Sequence, residues 1–267
     1  GTPDAAGGEV TVSLEPGDDV KCTFTNTKRG TVEVEKQTDP ADAPDSFSFF
    51  GSLGDFDLTD NGVESSAAKP GLYQVTENDA PGWALTALSC NDNNSVGSIA
   101  TRTATYNVEA GETVRCTFTN TKLGQITVTK EINGTNQPFT FNSDGFTLTD
   151  TTLANGESAS STVGLLPGTY KVSEVLPTGW EDPQIVCSVN GGAANNGSGY
   201  QITGLETTIT LKAGDTVACT YTNTEKARLK IIKTTAPAGQ GPFTFTEVDD
   251  NVAGLPTELS DGESFTS

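Results

Sequence analysis

The chain has no histidine and no methionine, only 15 Lys and Arg against 35 Asp and Glu, and aromatic residues at just 7% of its 267 positions. Each shortage excludes something. Without His there is no Ser-His-Asp or Cys-His nucleophile, and most catalytic zinc sites lose their usual ligand. A net charge of −20 argues against nucleic acid as a partner, because that binding rests on neutralising phosphates with basic groups. It equally disfavours adsorption to an anionic membrane surface. No apolar run approaches the ~18 residues of a membrane span, and the sequence holds no signal-peptide pattern. The lack of Met even at position 1 leads us to expect a processed chain or a window cut from a longer one. No cofactor is implied. C-x-x-C is absent, and acidic stretches such as Asp55-Phe-Asp57 and Asp60-Asn-Gly62 lack the ligand order of an EF-hand loop.

What is present is a repeat. Three segments nearly superpose: Lys21-Cys-Thr-Phe-Thr-Asn-Thr-Lys28, Arg115-Cys-Thr-Phe-Thr-Asn-Thr-Lys122 and Ala218-Cys-Thr-Tyr-Thr-Asn-Thr-Glu225. Upstream, Gly71-Leu-Tyr-Gln-Val-Thr-Glu77 matches Gly168-Thr-Tyr-Lys-Val-Ser-Glu174. Each is followed by a Pro-containing turn, a Trp (Trp83, Trp180) and then a Cys (Cys90, Cys187). A third block opens each unit: Val32-Glu-Val-Glu-Lys36, Ile126-Thr-Val-Thr-Lys130 and Leu229-Lys-Ile-Ile-Lys233. The chain therefore reads as the end of one unit (1–30), two whole units (31–124 and 125–227) and the start of another (228–267). Short β-branched or aromatic runs alternate with Gly, Pro, Asn and Asp turns, among them Ala154-Asn-Gly-Glu-Ser158. That pattern predicts tandem all-β, immunoglobulin-like sandwiches without an amphipathic helix.

Five cysteines is an odd count, and the repeat accounts for it. Cys90 is expected to pair with Cys116 and Cys187 with Cys219, with the partner of Cys22 outside the window. Buried free thiols in a reducing compartment are the alternative. Duplicated pairs in an acidic, Thr-rich chain fit an oxidising, extracellular setting better.

Alternation along a strand places side chains two apart on one face. Lys36 then shares the inward face with Val32 and Val34, Lys130 with Ile126 and Val128, and Lys233 with Leu229 and Ile231. Glu77 and Glu174 fall on the face of Val75 and Val172. Asn120, Asn223 and Asn26 fall on the face of Phe118, Tyr221 and Phe24. Each unit thus aims a Lys, a Glu and an Asn at its core. Burying ions is costly, and one resolution removes the charge. A buried Lys becomes a neutral amine and a buried Glu stays protonated. The amine can then attack the Asn carboxamide, which the acid polarises, releasing ammonia and leaving an isopeptide crosslink. Two other readings stay open on the residues alone: the Lys snorkels to water from a strand end, or the Asn begins a turn. Favouring the crosslink, the triad recurs as Lys36/Glu77/Asn120 and Lys130/Glu174/Asn223, and each Asn precedes the next Lys by ten residues at all three junctions.

A Lys ending the first strand, Tyr-x-Val-x-Glu before a Pro and Gly-aromatic turn, and a closing Phe-x-Asn-Thr resemble the Cna-B-like or SpaA-like domains of bacterial pilins and surface adhesins. The resemblance implies a prealbumin-like, reverse immunoglobulin fold and autocatalytic Lys–Asn isopeptide bonds. It casts Lys36 and Lys130 as amines, Asn120 and Asn223 as acceptors, and Glu77 and Glu174 as assisting acids. Lys233 and Asn26 would belong to bonds with partners outside the window. The Cys pairs depart from many members of that family.

Three functions follow as expectations. The first is an extracellular, cell-surface or matrix stalk or fibre, joined to flanking repeats of the same chain and free to self-associate through strand edges. The second is a ligand-binding adhesin module using the divergent loops at 91–97 and 189–197. The third, an enzyme with a diffusible substrate, has no repeated nucleophile–base pair or phosphate loop to support it. Leu176-Pro-Thr-Gly179 lacks the order of a sortase signal, and the Asn-x-Ser/Thr triplets at Asn93, Asn133 and Asn196 are short enough to arise by chance.

Overall fold

A computed structural model of the chain describes residues 3–4, 9–192, 196–245 and 256–266. The described residues are strands and turns, with a single 3-10 turn at Asn190–Gly192. A short ladder, β1 (Pro3–Asp4) with β2 (Glu9–Val10), opens the chain.

Nine strands then form a first sandwich: β3 (Gly30–Asp39), β4 (Phe47–Gly51), β5 (Phe56–Leu58), β6 (Val63–Ala68), β7 (Gly71–Glu77), β8 (Trp83–Cys90), β9 (Val96–Ser98), β10 (Thr103–Val108) and β11 (Thr113–Lys122). They make a five-stranded sheet in the order β5-β4-β7-β10-β9 and a four-stranded sheet in the order β6-β3-β11-β8. The second sandwich is built from β12 (Gln125–Asn133), β13 (Phe139–Asp144), β14 (Thr152–Leu153), β15 (Ser158–Ser160), β16 (Gly168–Val175), β17 (Gln184–Val189), β18 (Gly199–Thr203), β19 (Glu206–Leu211) and β20 (Thr216–Thr224). Its sheets run β14-β13-β16-β19-β18 and β15-β12-β20-β17. Adding nine to every label of the first sandwich reproduces the second, so the sequence repeat is a repeat of topology. The C-terminal strands β21 (Lys230–Ile232), β22 (Phe243–Thr244), β23 (Glu258–Leu259) and β24 (Ser264–Thr266) repeat the opening pairings again, β21 with β24 and β22 with β23.

The strands form where β-branched and aromatic residues alternate with Thr, Ser and charge, the pattern of a sheet with one face in the core. β3 alternates buried and half-buried residues from Gly30 to Lys36. In β12, Ile126, Val128 and Lys130 are fully buried while Thr127 and Thr129 lie outward. Burying an aliphatic side chain of this size contributes about 1.5–3 kcal/mol. Phe139, Phe141, Val172, Ile209, Val217 and Tyr221 complete the second core. In that sandwich the first and last strands are neighbours and run parallel, Lys130 opposite Tyr221 and Ile132 opposite Asn223. Only two residues, Leu123 and Gly124, separate β11 from β12.

Both expected disulfides are present, Cys90–Cys116 and Cys187–Cys219, and the second joins directly opposed residues of β17 and β20.

Two expectations for the end segments are corrected. Residues 11–29 form no strand, and Cys22, Phe24 and Asn26 are exposed rather than turned into a core. No neighbouring strand among the described residues pairs with this segment, and a strand without a ladder leaves its backbone groups to water. At the other end, β21 is shorter than expected. Leu229 is exposed, and Ile231 and Lys233 are only half-buried.

Candidate crosslinking sites

In the second sandwich the three polar residues meet. Lys130 and Asn223 are fully buried and Glu174 is 3% exposed. They arrive from three strands, the neighbours β12 and β20 of one sheet and β16 of the other. The Lys130 amine donates to the side-chain oxygen of Asn223, and also to the carbonyls of Tyr221 (3.1 Å) and Glu131 (2.8 Å). It lies 3.6 Å from Glu174 Oε2. The Asn223 amide donates at 2.7 Å to Glu174 Oε1. One carboxyl group thus touches both the amine and the amide nitrogen. Glu174 contacts the carboxamide of Asn223 through its nitrogen.

Burial sets the protonation. Desolvation pushes the Lys130 amine below its ordinary range, against the opposing pull of Glu174. Desolvation likewise raises the Glu174 carboxyl, against the pull of Lys130 and the Asn223 hydrogen bond. Both shifts favour the neutral forms, an amine with a free lone pair and a carboxylic acid.

The first sandwich places Lys36, fully buried, 3.8 Å from Glu77 Oε1, with its amine donating to the carbonyl of Phe118 at 3.2 Å. Desolvation lowers the Lys36 amine to about 8, opposed by the charges of Glu77 and Asp60 and assisted by that of Arg102. Asn120 is fully buried, and neither its side-chain oxygen nor its nitrogen has a hydrogen-bond partner among the described residues. An amide hidden this way carries the desolvation cost without the compensating bond.

Residues 32–122 and 126–225 each match the prealbumin-like fold domain of the SpaA type, and residues 1–28 match a second description of that domain. Those two stretches cover most of the chain. The chain belongs to the SpaA-type prealbumin-like fold family.

Among curated proteins no sequence matches the chain. Among solved structures, the major pilin of Streptococcus pyogenes is similar at 13% identity and a TM-score of 0.29, covering 76% of this chain and 100% of the pilin. The Bacillus anthracis TIE protein is similar at 16% identity and 0.32, covering 90% of this chain and 43% of that one. A bacterial adhesin from Mobiluncus mulieris containing intramolecular disulfide, isopeptide and ester bond cross-links is similar at 10% and 0.32, covering 65% and 68%.

Within this family member, three features of the sites were not read from the sequence. An aromatic ring floors each lysine. The amines of Lys36, Lys130 and Lys233 lie 4.1, 4.2 and 4.0 Å from the ring centroids of Phe47, Phe139 and Phe243. The signal was available as a Phe-x-Phe that follows each Lys by nine to eleven residues (Phe47-Ser-Phe49, Phe139-Thr-Phe141, Phe243-Thr-Phe245). A turn also brackets each lysine backbone. Lys36 N–H donates to Gly62 O and its carbonyl accepts from Asn61. Lys130 pairs likewise with Glu157 and Gly156, and Lys233 with Glu263 and Gly262. The donors Asn61, Gly156 and Gly262 have φ of 60°, 79° and 82°, a left-handed geometry that suits Gly and Asn. The third feature is Arg102, which has no cationic counterpart among the described residues of the second sandwich.

Among the described residues no helix is long and apolar enough to cross a membrane, and no cluster of His, Cys, Asp or Glu is grouped to hold a metal ion.

Proposed function

We propose that the chain is a structural segment of a bacterial surface stalk or pilus-like fibre, with complete domains at 31–124 and 125–227 flanked by parts of further domains, and that each complete domain closes its own Lys–Asn isopeptide bond. The observation that carries the reading is the buried meeting of Lys130, Glu174 and Asn223. Membership of the SpaA-type family and the duplicated disulfides support the surface assignment.

The chemistry follows from the contacts. The neutral Lys130 Nζ attacks Asn223 Cγ and a new C–N bond forms. Glu174, as the acid, gives its proton from Oε1 to Nδ2, the Cγ–Nδ2 bond breaks, and ammonia leaves. The proton shed by Nζ passes to Oε2, so Glu174 ends as it began. Fixed geometry supplies the high effective concentration that exchange between amides needs, and the apolar surroundings shift both partners toward their uncharged forms. By the repeat correspondence Lys36, Glu77 and Asn120 take the same roles in the first domain.

The test is the intact mass of the full 1–267 chain after complete reduction. A mass two ammonias below the sequence value supports both bonds, and one ammonia supports one. A mass equal to the sequence value removes the crosslink and leaves disulfide-stapled sandwiches.

A further inference from the structure

The two domains differ at one point beside the reacting groups. In the first, the turn before β10 presents Arg102 with φ of 55°. Its guanidinium makes three hydrogen bonds here, two to Glu77 and one to Asn78. Nη2 donates to Glu77 Oε2 at 2.7 Å and to Asn78 O at 2.9 Å, and Nε donates to Glu77 O at 3.2 Å. The backbone closes the clamp, with Glu77 N–H donating to Arg102 O at 2.9 Å. In the second domain Glu174 N–H donates in the same way to Leu205 O at 3.1 Å. Leu205 therefore stands where Arg102 stands, and it brings no charge.

We propose that Arg102 is a positioning residue that restrains crosslinking in the 31–124 domain, so that the 125–227 domain crosslinks first. The proposal rests on the isopeptide reading above. Entry into the reaction requires a neutral amine and a neutral acid together. In the second domain, moving a proton from Lys130 to Glu174 removes two buried charges and leaves none. In the first, the same transfer from Lys36 to Glu77 strips Arg102 of its counterion beside a buried acid. Arg102 also repels the Lys36 ammonium, which favours the neutral amine. Its direct hydrogen bond is to the carboxylate, however, so its larger effect falls on Glu77. Position follows charge. Glu174 reaches the amide of its acceptor Asn223, whereas Glu77 is held by Arg102 and the Asn120 amide has no hydrogen-bond partner among the described residues.

The experiment uses the full chain made by cell-free translation under oxidising conditions, quenched at intervals in acid denaturant, reduced and weighed intact. Asn223→Ala leaves only the first domain able to lose ammonia, and Asn120→Ala leaves only the second. The second domain is expected to react faster by on the order of tenfold, a barrier difference of about 1.4 kcal/mol. Adding Arg102→Leu to the Asn223→Ala chain should raise its rate by a similar factor, and Arg102→Lys, which keeps the charge, should leave it slow. Acceleration is the diagnostic, because loss of a merely structural contact would slow the reaction. Arg102→Gln serves as a second variant should Leu impair folding, with formation of the Cys90–Cys116 bridge as the folding check. Equal rates in the two parent chains, or no acceleration in either the Leu or the Gln chain, overturns the role of Arg102. Absence of ammonia loss from both domains removes the crosslink itself, and this proposal with it.

Discussion

The side-chain amide of Asn223 donates a 2.7 Å hydrogen bond to Glu174 Oε1, so the nitrogen that leaves as ammonia in the proposed reaction already rests on the group that would protonate it. Glu174→Gln keeps the size and the contact but cannot pass a proton. Measured against its own sequence mass, the reduced full chain carrying it should show a deficit one ammonia smaller than wild type shows, with the deficit of the first domain retained. An unchanged deficit would show that the carboxyl is dispensable.

Much of this arrangement was legible because strands have a period of two. Once Val32 and Val34, or Ile126 and Val128, are assigned inward, Lys36 and Lys130 have nowhere else to point, and both are fully buried. The paired cysteines were legible for a different reason, because the repeat puts Cys90 with Cys116 in one unit and Cys187 with Cys219 in the next. Arg102 was not. It sits in a turn, where side-chain direction follows from one positive φ rather than from alternation. The aromatic floor was hidden differently, since Phe47 and Phe139 come from a strand of the opposite sheet and only packing brings them under the amines. Asn26 and Cys22 show the limit of alternation, because a face exists only where a strand has neighbours.

Strand direction sets the mechanical expectation. β12 and β20 run parallel side by side, so tension entering at Gln125 and leaving at Thr224 shears the ladder. A bond between Lys130 and Asn223, 93 residues apart in sequence, would carry that tension past almost the whole domain. Lys130→Ala should restore an unfolding step in single-molecule stretching. The Cys187–Cys219 bridge withholds its own loop of 32 residues, so the released length is roughly 20 nm at ~3.5 Å per residue. Wild type should show no such step from this domain.

The ring of Phe139 lies beneath the Lys130 amine and makes an edge contact with Trp180 at 5.0 Å between centroids. Phe139→Ala deletes a fully buried side chain and should cost about 3–5 kcal/mol. The crosslink would mask that loss, so the measurement belongs in the Asn223→Ala chain. Trp180 fluorescence in a Trp83→Phe background, followed through a urea titration, reads the second domain alone.

Lys36 supplies a pH signature that exists only while it remains an amine. Burial holds it at about 8 in the folded domain against 10.5 for the ordinary side chain. Between those values the unfolded chain carries a proton that the folded chain lacks. Stability must therefore rise with pH across this window, by at most about 1.4 kcal/mol per pH unit. Below about 8 both states are protonated and the slope vanishes. In the Asn120→Ala chain, with Trp180→Phe so that Trp83 alone reports, the urea midpoint of the first domain should climb from pH 8 to pH 10. In the chain that keeps Asn120, the proposed crosslink makes Lys36 an amide with no proton to exchange, and this contribution to the slope should be missing. Identical slopes in the two chains would mean that Lys36 is a free amine in both.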